Sequence, residues 1–244
     1  MLLRAYAMGI FPMADSRDAG GVYWVEPRKR GILPLDRFHL SHSLRRTLVR
    51  DRFRVTADAA FESIIALCAE AAADREETWI NRQIENAFVT LHHQGHAHSI
   101  EVWDGERLAG GLYGLALGGA FFGESMVSRV ADASKVALAW LVARLRVGGF
   151  SLLDCQFLTP HLASLGAIEV TRADYMALLE GALSSAEGAL GVAVVPDSAP
   201  APWFGALDGL RAPPDPPPPP PSPSTIVSGP LSGKAIVQLL GQTS

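Results

Sequence analysis

Cysteine is scarce in this chain of 244 residues, which contains only Cys68 and Cys155. Two cysteines cannot form the disulfide framework of a small secreted protein, so we expect a reducing compartment and a cytoplasmic location. Long apolar runs are also missing, since none reaches the roughly 18–20 residues of a membrane span. The opening MLLRAYAMGIFPMAD lacks the basic stretch and cleavage site of a signal peptide, and we assign it to the fold.

Common nucleotide and metal motifs are absent as well. The glycines between 110 and 123 form neither a P-loop nor G-x-G-x-x-G. SRVADASK stands before the main helix instead of the loop Arg/Gln-x-x-Gly-x-Gly/Ala that binds coenzyme A, which disfavours an acetyl-CoA enzyme. The histidines at 92, 93, 96 and 98 match no common zinc spacing, although one or two of them stay candidates for lining a site. None of these motifs indicates a metal or a nucleotide cofactor.

The sequence offers two candidate nucleophiles, and both are weak. Ser125 in GESMV lacks the second glycine of G-x-S-x-G. Cys155 has His161 nearby in sequence, but a pair of this kind requires contact in space. A cysteine on an apolar strand is more often a small buried side chain than a nucleophile.

Charge is distributed unevenly along the chain, whose net charge is −4. Residues 1–54 carry 11 basic and 5 acidic residues, a balance of +6, whereas residues 55–190 carry 8 basic and 17 acidic, a balance of −9. Nine of the basic residues crowd into 28–54. Such a cluster fits either a polyanion-binding face or a solvated surface, and charge alone leaves both open.

Periodicity and turn signals predict an α+β fold. Helices are expected at 61–73, 81–95 and 133–145, and strands at 98–104 and in RLAGGLYGLALGG, AFFGESMVS and FSLLDCQFL. A short helix in TPHLASLG, a short strand in AIEV and a last helix from Thr171 follow. This order predicts a mostly antiparallel sheet flanked by helices, and it resembles the acetyltransferase-like (GNAT) architecture.

We expect three regions along the chain. Residues 1–54 would form a small basic N-terminal α/β lobe, and residues 55–185 the GNAT-like catalytic domain. Residues 186–244 would form a disordered, proline-rich tail, because 212–224 holds nine prolines in thirteen residues. A ligand for an SH3-like or WW-like domain is the other reading of that run. The ending GKAIVQLLGQTS fits a short helix.

Two carboxylates lie on strands that are otherwise apolar, Glu124 in FFGESM and Asp154 in LLDCQ. An ionised carboxylate in such a place needs partners, or its pKa rises. A structural salt bridge to Arg129 or Lys135 would account for either of them. Two such residues on strands that flank one helix favour a shared functional pocket instead.

Several long motifs closely resemble those of the bacterial leucyl/phenylalanyl-tRNA–protein transferases. They span about 2–183 and include LLRAYAMGIFPMA, WVEPRKRGILPL, TWI, GHAHSIEVW, GGLYGLALGGAFFGESMVSR, ASKVALAWL and DCQFLTPHLASLGA. The resemblance implies a cytoplasmic aminoacyltransferase that moves Leu or Phe, and less well Met, from tRNA to proteins with N-terminal Lys or Arg. The products enter N-end-rule degradation, and the reaction needs neither metal nor ATP. We also expect a monomer.

The resemblance also implies roles for individual residues. Gln156 would contact the attacking amine, Asp154 would polarise or deprotonate it, and Glu124 would help to place the acceptor. The pocket for the Leu or Phe side chain would comprise Trp79, Leu112, Phe121, Leu138, Leu141 and Leu153. The tRNA phosphates would be held by the basic lobe, through Arg28, Lys29, Arg30, Arg45 and Arg46.

Two other functions stay open. One is a GNAT-like N-acyltransferase that uses another activated donor, for instance acyl-CoA. The other is a tRNA-binding module without catalytic activity.

Overall fold

The fold is taken from a computed structural model that describes residues 1–70, 78–187, 201–210 and 231–242. The proline run at 212–224 lies outside these residues, and so does the last part of the helix predicted at 61–73. Among the described residues, no helix combines the length and the apolar character that crossing a membrane requires.

The first part of the chain contains a small sheet of its own. Helix α1 (Leu2–Ala7) precedes the antiparallel strands β1 (Phe11–Met13) and β2 (Tyr23–Val25). Strand β3 (Lys29–Ile32), helix α2 (His42–Val49) and strand β4 (Arg54–Ala57) follow. Helix α2 begins where the Ser41 hydroxyl accepts the backbone N–H of Leu44, a typical N-cap.

The remaining elements confirm the predicted order. They are α3 (Phe61–Ala69), α4 (Arg82–His93), β5 (Ala97–Asp104), β6 (Arg107–Leu117), β7 (Ala120–Ser128), α5 (Ala133–Val147), β8 (Leu152–Gln156), α6 (Pro160–Ser164), β9 (Ile168–Thr171) and α7 (Arg172–Glu187). The turn signals act as expected, because Gly95 follows α4 with a φ of 78° and Gly105 joins β5 to β6 with a φ of 60°.

A seven-stranded sheet organises the molecule, with strand order β4-β5-β6-β7-β8-β3-β9. Every neighbouring pair is antiparallel except β7 and β8, which run parallel. This confirms the α+β prediction of a mostly antiparallel sheet flanked by helices. The parallel pairing is short: it runs from Ala120↔Leu152 to Phe122↔Asp154 and then ends.

Strand β3 belongs to the large sheet, although the sequence assigned residues 1–54 to a separate lobe. It pairs with β8 on one side and with β9 on the other, in register Lys29↔Thr171 to Ile32↔Ile168. The predicted boundary at residue 54 therefore divides one sheet, and it falls within β4. The strand was overlooked because its four residues, KRGI, carry no apolar alternation and two of them are basic.

The core lies on both faces of this sheet. One apolar cluster surrounds α5 and takes in Leu112, Phe121 and Leu153. The other lies under α1, α3, α4 and α7 and takes in Tyr6 and Phe122. The neighbours Phe121 and Phe122 enter opposite clusters, because successive side chains of a strand point to opposite faces.

Two segments of the predicted tail are ordered and packed on the fold, which corrects the expectation of a disordered region over 186–244. A 3-10 helix (Phe204–Leu210) buries Leu207 completely, and helix α8 (Gly233–Gly241) buries Ile236 completely. Both segments join the cluster around α5. The short helix expected in GKAIVQLLGQTS is confirmed as α8. The prediction of disorder failed because it extended the composition of the proline run to the apolar residues on either side of that run.

Polar contacts hold the same two segments. Arg144 of α5 donates two hydrogen bonds to the carboxylate of Asp208, at 2.7 and 2.8 Å. Arg146 donates to the carbonyl oxygens of Leu239 and Leu240, both at 3.1 Å. One end of α5 is thus the anchor for both parts of the tail.

Candidate active site

A pocket of about 300 Å³ opens where the pairing of β7 with β8 ends. The residues after the last paired positions, 123–126 of β7 and 155–157 beside them, line it. The two strands separate there, and apolar side chains from α5, α6 and the first 13 residues fill the remaining wall. The pocket therefore combines an apolar interior with the polar ends of two strands, as small-molecule sites commonly do.

Five of the six residues predicted for an apolar pocket line this one: Trp79, Leu112, Leu138, Leu141 and Leu153. Phe121 does not, which corrects the prediction. It is fully buried and stacks on Phe204 of the tail at 5.6 Å between ring centroids. Sequence reasoning missed Phe11 and Met13, which also line the pocket. The motif GIFPMA in the first stretch was a signal that could have pointed to them.

Glu124 and Gln156 meet at the polar side of the pocket. The Gln156 amide Nε2 donates a hydrogen bond to Glu124 Oε1 at 3.1 Å, and both residues line the cavity. Glu124 is the extra residue of a β-bulge, because Gly123 and Ser125 pair with consecutive residues of β6. Bulges re-aim side chains next to functional sites.

The Glu124 carboxyl is buried and only partly satisfied. Burial raises its pKa from the ordinary 4.5 to about 8, and the charge of Asp154 adds to this, whereas Tyr6, Arg30 and Gln156 act in the opposite sense. Within the described part of the chain, Glu124 Oε2 has no partner in hydrogen-bond geometry. The pocket thus holds a largely protonated carboxyl at neutral pH, close to the Tyr6 hydroxyl.

Asp154 lies behind the pocket and does not line it. It is fully buried, and the guanidinium of Arg30 contacts both of its oxygens: Nε lies 2.9 Å from Oδ1, and Nη2 lies 2.6 Å from Oδ2. The backbone N–H of Gln156 donates to Oδ1 at 2.8 Å, and the Tyr175 hydroxyl donates to Oδ2 at 2.9 Å. The prediction that Asp154 itself polarises an incoming amine is at odds with this geometry.

Arg30 also differs from its prediction as a tRNA contact. Its exposed fraction is 1%, and its guanidinium lies between the rings of Phe11 and Tyr175, at 4.6 Å from each centroid. A buried guanidinium in an ion pair is not available to a phosphate. The other four residues assigned to tRNA, Arg28, Lys29, Arg45 and Arg46, are all exposed.

Of the two weak nucleophile candidates, Ser125 lines the pocket, whereas Cys155 gains no support. Burial raises the pKa of the Cys155 thiol far above its ordinary value, and the charge of Asp154 adds to this. A cysteine needs its thiolate form to attack, so Cys155 is inert at neutral pH. Burial and the charge of Lys135 lower the pKa of His161, which lines the pocket.

Two of the histidines at 92–98, His92 and His98, have packing roles in the structure. His98 Nδ1 lies 2.8 Å from the Asp58 carboxylate, and its ring stacks on Phe204. His92 stacks on Phe61, with 4.2 Å between centroids. Across the described residues, no group of three or more His, Cys, Asp or Glu is arranged to hold a metal ion.

Comparisons with known proteins cover the whole chain. The family model "Leucyl/phenylalanyl-tRNA protein transferase" matches residues 32–180, and the model of the N-terminal domain of that family matches residues 1–28. A leucyl/phenylalanyl-tRNA–protein transferase of Rhizorhabdus wittichii is 62% identical, over 100% of this chain and 97% of its own length. That of Zymomonas mobilis is 65% identical, over 76% of this chain and 69% of its own length.

Among solved structures, L-PGS from Bacillus licheniformis covers 66% of this chain and 53% of its own, with a TM-score of 0.38 and 11% identity. That likeness is too weak to indicate a function. The family match is strong, because the two matched models leave only residues 29–31 between them and together include every residue that lines the pocket. The chain therefore belongs to the leucyl/phenylalanyl-tRNA–protein transferase family and is a transferase.

Proposed function

We propose that this enzyme transfers Leu or Phe, and less well Met, from aminoacyl-tRNA to the N-terminal Lys or Arg of acceptor proteins. The observation that carries the proposal is the apolar pocket of about 300 Å³ that ends at the Gln156–Glu124 pair. Leu138, Leu141 and Leu153 suit an unbranched-at-Cβ apolar side chain. The polar pair lies where the ester carbonyl of such a donor would emerge.

The reaction needs no cofactor, because the ester of an aminoacyl-tRNA is already activated. The α-amine of the acceptor attacks the ester carbonyl carbon, so a C–N bond forms and the C–O bond to the terminal ribose breaks. The amine loses a proton, and the released ribose oxygen gains one. An α-amino group has a pKa of about 7.7–8.0, so holding it in place next to the ester supplies much of the rate.

Gln156 and Glu124 are the groups that we propose to touch the acceptor. The Gln156 amide orients the attacking amine, and Glu124 receives the cationic side chain of the N-terminal Lys or Arg. A cation near a carboxyl favours its ionised form, so acceptor binding would draw the proton off Glu124. Asp154 cannot share this task, because Arg30 already neutralises its charge. One carboxylate in a mostly apolar pocket then accounts for the acceptor preference.

The exposed basic residues Arg28, Lys29, Arg45 and Arg46 are proposed to bind tRNA phosphates. Contacts of this kind position a nucleic acid without reading its sequence. We further propose a monomeric, cytoplasmic enzyme whose products enter N-end-rule degradation, because charged tRNA and newly exposed protein N-termini meet in that compartment.

The proposal is tested by incubating the enzyme with radiolabelled Leu-tRNA and two peptides that differ only in an N-terminal Arg or Ala. We expect label in the Arg peptide and little in the Ala peptide. Retained tRNA binding without transfer would contradict the proposal in favour of a silent binding module. Transfer from leucyl-CoA but not from Leu-tRNA would instead indicate an acyl-CoA enzyme.

A further inference from the structure

We infer that Arg30 and Tyr175 are positioning residues that hold Asp154 as an acceptor for the backbone of Gln156, and so fix the Gln156 amide in the pocket. The inference rests on the proposed function. It assigns Asp154 a structural task within the site and adds two residues that no earlier argument had placed there.

Asp154 is out of reach of a molecule bound in the pocket. It is fully buried, and neither oxygen faces the cavity. The guanidinium of Arg30 contacts both oxygens, the Gln156 N–H adds a bond to Oδ1, and the Tyr175 hydroxyl adds one to Oδ2. A general base must lie within hydrogen-bond reach of the proton that it takes. Asp154 has no such access to an amine in the pocket.

Several contacts hold the Arg30 side chain in place. Its planar guanidinium holds the carboxylate with two N–H groups and donates a further bond to the Gly9 carbonyl at 3.1 Å. The rings of Phe11 and Tyr175 cover its two faces. A lysine has neither the fork nor the flat faces for these contacts. Arg30 thus connects the first strand, β3, β8 and α7 at a single point behind the pocket.

The backbone of Gln156 has an unusual conformation. Its φ is 57°, in the left-handed region that non-glycine residues rarely occupy. Such a conformation persists only where the surroundings impose it. The contact that stabilises this conformation is the hydrogen bond from the Gln156 N–H to Asp154, two residues earlier. With the backbone in this conformation, the Gln156 side chain reaches Glu124. Moving the carboxylate would therefore move the amide in the pocket.

Replacing both Asp154 and Arg30 with neutral residues distinguishes a positioning role of Asp154 from proton abstraction by Asp154. Asp154→Asn keeps an oxygen for the Gln156 N–H but leaves the Arg30 charge buried without a partner, and Arg30→Met leaves the carboxylate alone. Breaking a buried pair from one side is damaging, whereas replacing both charges is often tolerated. We expect each single variant to lose about 100-fold or more in kcat, and the double variant to return to within about 10-fold of the wild type, because coupled sites are not additive.

The outcome is decided by transfer kinetics with Leu-tRNA, alongside thermal melting of each variant. Recovery in kcat, with KM for Leu-tRNA near the wild-type value throughout, supports the inference. A double variant that melts normally but stays as inactive as Asp154→Asn overturns it, because Asp154 would then be the proton acceptor. Absence of transfer by the wild type would instead refute the proposed function.

Tyr175→Phe provides a second test that does not disturb the charges. It removes one hydrogen bond to Asp154 Oδ2 and keeps the ring against Arg30. We expect kcat to fall about 5- to 10-fold, the size of one lost buried hydrogen bond, with KM unchanged. The matched control is Tyr23→Phe, on a half-exposed tyrosine of β2. If kcat is unchanged in Tyr175→Phe, the positioning role is wrong, whether or not the charge variants fold.

Discussion

At the scale of single residues, the Glu124 carboxyl links the site to the stability of the fold. Its pKa is about 8 in the folded protein, against an ordinary 4.5. Between these pH values the folded chain holds a proton that the unfolded chain has released. The free energy of unfolding therefore falls as the pH rises from about 4.5 to about 8, and this contribution is lost above that range.

Glu124→Gln, which stays neutral at every pH, should escape this loss. We expect the stability of the variant relative to the wild type to increase with pH, by up to about 1.4 kcal/mol per pH unit. Urea unfolding at pH 5.5, 7 and 8.5 measures it. Glu180→Gln, on the exposed face of α7, is the control and should give a constant difference. A constant difference for Glu124→Gln as well would contradict the raised pKa.

Sequence reasoning found Glu124, Asp154 and Gln156 because polar groups on apolar strands stand out. It did not predict that Glu124 and Gln156 line the pocket whereas Asp154 lies behind it. Glu124 faces the pocket because of a bulge, and bulges leave no mark in the alternation of a strand. Arg30 was assigned to the surface with its basic neighbours, since its buried partner lies 124 residues further along the chain. A partner so distant is outside what local pattern can reveal.

At the scale of elements, the helices and strands from 61 to 185 and the short helix α8 followed the sequence pattern, whereas β3 and the 3-10 helix at Phe204–Leu210 were not predicted. Elements of 8 to 15 residues, such as β5, β6 and α5, carry enough repeats to identify them. A strand of four residues such as β3 does not. It forms because β8 and β9 are there to pair with it, which is a property of the assembled sheet.

The tail segments make a direct prediction about stability. Leu207 is completely buried against the cluster around α5, whereas Leu210, three residues later in the same 3-10 helix, is 55% exposed. Leu207→Ala should lower the free energy of unfolding by about 2–5 kcal/mol, because it leaves a cavity in a packed core. Urea unfolding of the full chain measures this loss.

Leu210→Ala is the matched control and should change the free energy of unfolding by no more than about 0.5 kcal/mol, as is usual for an exposed site. Equal effects of the two substitutions would show that this part of the tail does not belong to the core.

At the scale of the whole molecule, the charge asymmetry makes a prediction about tRNA binding. Arg45 and Arg46 are exposed on α2, within the basic part of the chain. Replacing both with Gln should weaken binding and flatten the log–log dependence of affinity on salt by about 2, close to one per lost phosphate contact. The slope is measured by filter binding of Leu-tRNA at salt concentrations between about 50 and 200 mM.

Arg107→Gln is the control for that experiment, because Arg107 is equally exposed but lies in the acidic part of the chain. Its salt dependence should match that of the wild type. If Arg45→Gln/Arg46→Gln keeps the wild-type slope, helix α2 is not part of the tRNA surface.

The contacts of Arg30 have a consequence for the folding of the enzyme during its synthesis on the ribosome. Synthesis proceeds from the N-terminus, and Arg30 must wait for the carboxylate of residue 154 and the hydroxyl of residue 175. Until both residues have been synthesised, the Arg30 guanidinium of the nascent chain lacks the partners that it has when it is buried. The candidate active site is therefore assembled late, when more than two thirds of the chain has been translated. A chain released from the ribosome before residue 175 would lack these contacts, and we expect it to be inactive.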